Sequence, residues 1–111
     1  MKLTLQERIL VDELLPNEGK YANLVEVRKI RELLPFTSEE MKEFGIKGLP
    51  DGRMQWKVDH NSATYLVDIA MTEWITVTIQ TKLREMELDG KLPFHFLTLY
   101  EKFIVMYQDL V

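Results

Sequence analysis

The chain has 111 residues, 46% of them hydrophobic, with 14 Lys+Arg against 18 Asp+Glu and a formal net charge of -4. So high an apolar fraction at so modest a charge excludes a disordered chain, and the length suits one domain, residues 1–111, able to bury a core without disulfides or a structural metal. The absence of cysteine excludes a disulfide framework, Cys-type zinc or iron–sulfur ligation and thiol catalysis, and is compatible with a reducing compartment.

Thr4 followed by Glu7 is a capping-box pattern, and Leu5, Ile9, Leu10, Leu14 and Leu15 recur at helical spacing until Pro16-Asn17-Glu18-Gly19 stops the helix. The charged pair Glu7-Arg8 arrives too early for an apolar signal-peptide core. Asn23 with Glu26 repeats the capping logic for a second helix, whose stripe is Leu24, Val27, Ile30, Leu33 and Leu34 and whose end is Pro35. Thr37-Ser38-Glu39-Glu40 opens a short third helix. Gly45 suits the left-handed residue behind its last turn, with Ile46 folding back onto Met41.

Beyond the turn-rich connector Lys47–Gly52 the period changes to two. Met54, Trp56 and Val58 alternate with polar residues, Asp59-His60-Asn61-Ser62 reads as a turn, and Tyr65, Val67 and Ile69 alternate again. This pattern predicts a β-hairpin. The next stretch supports two readings. Trp74–Thr81 is rich in β-branched residues, as in a strand, yet Ile75, Ile79, Leu83 and Met86 fall at helical spacing. One helix from about Thr72 to Leu88 is the favoured reading over a third strand and a shorter helix. Pro93 suits the first turn of a last helix carrying Phe96, Leu97, Tyr100, Phe103, Ile104 and Tyr107. The expected fold is therefore α+β: a small single domain of about five helices and one β-hairpin, its first three helices and hairpin in winged-helix-like order.

Catalytic signals are sparse. Asp59-His60-Asn61-Ser62 could be a metal or acid–base cluster, but a turn selects the same residues for their backbone bonds. His95 lies between Phe94 and Phe96. Glu39, Glu40 and Glu43 read as a solvated helix face. No phosphate-cradling or nucleophile motif is present. The expected protein is not an enzyme and uses no cofactor or metal; a small hydrolase or metal enzyme around His60 ranks last.

Nucleic-acid binding is the alternative function, because the layout suggests a winged helix. Residues 20–57 carry 8 Lys+Arg and 6 Asp+Glu, whereas residues 1–19 carry 2 against 4 and residues 58–111 carry 4 against 8. Arg28, Lys29, Arg31, Arg53 and Lys57 would be its contacts. Three glutamates on the third helix oppose it, since affinity for phosphates rests on cations. Nucleic acid is accordingly not the expected partner.

The last helix points elsewhere. Its apolar residues cover more than one face, which implies burial against a second surface. A protein partner or a second copy is the expected cover, with Phe94, Phe96, Tyr100 and Phe103 as contacts. No run approaches the roughly 20 apolar residues of a membrane span, so the chain is expected in a cytoplasm.

Leu14-Leu15-Pro16-Asn17-Glu18-Gly19, Gly52-Arg53-Met54-Gln55-Trp56 and Leu99-Tyr100-Glu101-Lys102-Phe103 resemble, in order, segments of a group of small proteins encoded by phages and prophages. The resemblance implies a helix across Trp74–Thr81, a bacterial cytoplasm and an accessory role in phage–host regulation or assembly. It supplies no catalytic residues.

Overall fold

Residues 1–107 are described by a computed structural model. Strand β1 (Lys2–Leu3) leads into helix α1 (Leu5–Leu14), followed by α2 (Tyr21–Leu33) and α3 (Ser38–Phe44). The chain then forms β2 (Lys47–Gly48), β3 (Met54–Gln55), a short helix α4 (His60–Thr64) and β4 (Val67–Asp68), before α5 (Glu73–Leu88). A final helix passes from a 3-10 turn, Phe94–Phe96, through an α turn, Leu97–Tyr100, into a π turn, Glu101–Val105. The class is α+β, as the alternation of periods indicated.

The helix starts obey side-chain chemistry. Thr4 and Glu7 form a complete capping box on α1, and Thr37 and Glu40 form a second on α3. Gly45 takes the left-handed conformation at φ 62°, and the Ile46 N–H reaches back to the Met41 carbonyl at 2.9 Å. The start of α2 differs from expectation. It begins at Tyr21 behind Lys20 with no side-chain cap, so Asn23 lies inside the helix.

The predicted hairpin is not formed. Met54–Gln55 pairs backwards with Lys47–Gly48 across the Leu49–Gly52 turn, and Val67–Asp68 pairs with Lys2–Leu3 at the other end of the chain. Between them the expected turn is helix α4. Asp59 accepts from the Ser62 N–H at 2.9 Å, and the Ser62 hydroxyl donates to the Lys57 carbonyl at 2.8 Å. These local bonds cap a helix rather than close a hairpin, which leaves each flanking segment to find another partner. A small ribbon does follow α3, so the helix–helix–helix–ribbon order stands in a different register.

The stretch of conflicting signals is helical throughout. Thr72 caps α5 by accepting from the Ile75 N–H at 3.2 Å, while Thr76 and Thr81 turn their hydroxyls onto the Thr72 and Val77 carbonyls. Ile75, Ile79 and Leu83 are all buried. Packing at four-residue spacing thus overrides the strand propensity of the β-branched residues.

Two cores result. The larger joins Val11 and Leu14 of α1, Val27 and Ile30 of α2, Ile75, Ile79 and Leu83 of α5, and Phe96, Leu99 and Phe103 of the final helix. The smaller gathers Leu5, Phe44 and Ile46, with Phe36, Met54, Trp56 and Tyr65 against them. Among the described residues no helix is long and apolar enough to cross a membrane.

Candidate functional site

The four aromatic residues expected to meet a partner divide sharply. Phe96 and Phe103 are buried in the larger core and Tyr100 is half-buried against it, whereas Phe94 is 88% exposed. Phe96 and Phe103 are therefore corrected from contact residues to core residues: with Leu99 they form the inward stripe at spacings of three and four. Pro93 also shifts role, capping the 3-10 turn from an extended conformation instead of lying within the helix. Gln80 donates to the Phe103 carbonyl at 2.8 Å, satisfying an acceptor where the hydrogen-bond pattern loosens into the π turn.

The outward side of this helix is apolar as well. Phe94, Leu97 and Val105 are exposed at spacings that put them along one stripe, with Glu101 among them and Met106 beside it. Leu88, at the end of α5, is 80% exposed just before the turn into this helix. A helix with apolar residues on opposite sides has one side committed to the core and another presented to solvent. The expectation that its apolar residues exceed one face is met by Phe94, Leu97, Val105 and Met106, not by the buried aromatics.

The basic residues of the alternative reading are distributed over α2 and the ribbon. Arg28, Lys29 and Lys57 are exposed. Arg31 is held by Asp12 at 3.1 Å and Asn17 at 3.0 Å, and Arg53 by Asp51 at 2.6 Å. Glu39 and Glu43 remain exposed on α3, but Glu40 does not. His60 and His95 are both exposed, and no group of three or more His, Asp or Glu side chains is gathered for a metal among the described residues.

Sequence reasoning missed two buried ion pairs that start from adjacent residues of α1. Arg8, 2% exposed, donates from Nη1 to Glu40 Oε2 at 2.7 Å and from Nη2 to Glu40 Oε1 at 3.1 Å. The same guanidinium donates to the Leu34 and Pro35 carbonyls, at 3.1 and 2.7 Å, and lies 4.9 Å above the Phe36 ring. One side chain thus satisfies the carbonyl end of α2 and pins the start of α3. Burial pushes the Glu40 carboxyl up, but the Arg8 bonds, the Thr37 N–H and the Tyr65 hydroxyl outweigh it and hold it at about 2.

Glu7 is also 2% exposed. Its Oε1 accepts from the Thr4 N–H at 2.9 Å and from Lys102 Nζ of the final helix at 2.6 Å, while Oε2 is buried with no partner among the described residues. Lys102 also donates to the Lys2 carbonyl of β1 at 2.9 Å. Both charged side chains line a cleft of about 280 Å³ whose wall includes Trp56, Val58 and Ala63. The sequence carried a signal for this pair of sites. Glu7 lies four residues before Val11 and seven before Leu14, and Arg8 lies three after Leu5 and three before Val11, on the stripe that faces inward.

No protein-family model, no curated protein and no solved structure matches this chain.

Proposed function

We propose that the protein is a non-enzymatic interaction module that associates with a second copy of itself through the outward stripe of the final helix. The observation that carries the reading is Phe94, an aromatic ring left 88% exposed on the side of the helix opposite Phe96 and Phe103, with Leu97 and Val105 following it. Exposed apolar side chains aligned on one face mark interaction surfaces. A two-fold contact suits a stripe this short, because each residue is used twice across the interface. The cysteine-free composition and the resemblance to phage- and prophage-encoded proteins support an accessory role in a bacterial cytoplasm.

Sedimentation velocity over a wide concentration series tests this. The unmodified chain is expected to shift from monomer to dimer as concentration rises, and Phe94→Asp to hold it as a monomer. Tyr21→Asp, which places the same charge at an exposed aromatic on α2, is expected to leave association unchanged. A monomer at every concentration, or equal loss in both variants, would overturn the proposal.

A further inference from the structure

We infer that the cleft between α1, α4 and the final helix is a binding site for a small planar carboxamide, with Glu7 and Lys102 reading its polar edge.

The cleft holds about 280 Å³, just under the range of pockets that take drug-sized molecules, so it suits a single-ring ligand. Two polar groups meet there. Glu7 Oε2 is a carboxylate oxygen, buried and without a hydrogen-bond partner among the described residues. Among the described residues Lys102 Nζ gives two of its three N–H groups, to Glu7 Oε1 and the Lys2 carbonyl, which leaves one there. Both residues line the cleft, so the site brings one acceptor and one donor to it.

Charge decides the class of ligand. The carboxylate already has its cation at 2.6 Å, so an incoming ammonium or amidinium would meet Lys102 as a like charge. A carboxylate ligand would meet Glu7 in the same way. A neutral carboxamide matches both groups, its N–H toward Oε2 and its carbonyl toward Nζ. Trp56 and Val58 supply an apolar wall for the rest of a flat molecule. Gln6 and Val58 are exposed residues of the cleft; Oε2 is closed to solvent, so binding includes a side-chain movement that uncovers it. This site is separate from the outward stripe, and its behaviour does not depend on self-association.

Benzamide, benzoate and benzamidinium, equal in ring and nearly equal in size, make the test. Each is titrated into the isotope-labelled full chain while amide and indole resonances are followed. Benzamide is expected to move the signals of Glu7, Ser62, Ala63 and the Trp56 indole, with benzoate and benzamidinium roughly tenfold weaker. Glu7→Gln keeps a residue that capping boxes accept but removes the carboxylate, and is expected to weaken benzamide roughly tenfold. Ala63→Leu, at an exposed position lining the cleft, blocks it without touching either charge and is expected to abolish the shifts. A blocked glutamine amide, carrying the same group on a flexible peptide, is expected to bind more weakly than benzamide. Benzoate or benzamidinium matching benzamide, a stronger glutamine amide, no shifts at all, or benzamide binding unchanged in Glu7→Gln and Ala63→Leu would each overturn the assignment.

Discussion

Glu7 and Glu40 hold the same station in two helices, the third residue behind a threonine cap, and each reaches back to the threonine N–H. Both are buried, and both recruit a cation from far along the chain. Their surroundings differ most in the cation. Glu40 meets a guanidinium, whose fork serves both oxygens; Glu7 meets an ammonium, a compact charge that serves only Oε1. A capping box leaves the second carboxylate oxygen unassigned, and the cation supplied to it determines whether that oxygen is consumed by the fold or left over. On α3 it is consumed, so the Arg8–Glu40 pair is a structural joint among α1, α2 and α3. On α1 it is left over beside a cleft.

The largest effect should come from removing the fork. Arg8→Met keeps much of the side chain's volume but strands Glu40 and the Leu34 and Pro35 carbonyls, at an expected loss of about 3–5 kcal/mol. Urea unfolding measures it. A loss under about 1 kcal/mol would mean that water enters the joint and that the two boxes are less different than their hydrogen bonds indicate.

Acid should act on the same box more gently. A carboxyl held at about 2 when folded and near its ordinary 4.5 when unfolded stabilises the native state fully above the unfolded value. That contribution, about 3 kcal/mol, is lost as pH falls from roughly 4.5 toward 2. In Arg8→Met the slope should flatten, because the group that most depresses the folded-state value is gone. Unfolding free energies measured across that window in both proteins give the comparison; equal slopes would remove Arg8 as the cause.

How far these features were legible in the sequence follows from their range. Capping boxes are local, so Thr4–Glu7 and Thr37–Glu40 announced two helix starts, and the spacing of Ile75, Ile79 and Leu83 announced α5 against its composition. The hairpin failed because Val67–Asp68 pairs with Lys2–Leu3, a partner over sixty positions away that no local pattern names. Glu40 looked like one of three solvated acids because its partner, Arg8, is 32 residues distant. The final helix showed its excess of apolar residues, but which ones faced outward depended on the packing of α5 against Phe103. Long-range pairing, not propensity, was the missing information in each case.

The smallest effect is the most specific. Lys102→Arg would give the first box the fork that the second already has. The added guanidinium can donate to Oε1 and Oε2 together, and the cleft beside Lys102 gives the longer side chain room. Satisfying a buried carboxylate oxygen should raise stability by about 1 kcal/mol, seen as a higher urea midpoint at unchanged denaturant slope. The same substitution should weaken benzamide, because its N–H partner would now be occupied. If stability rises while benzamide binding is unaffected, the leftover oxygen belongs to the fold alone. If stability falls, the ammonium's bond to the Lys2 carbonyl matters more than the orphan oxygen, and the contrast between the two boxes lies in the neighbours of each cation rather than in its shape.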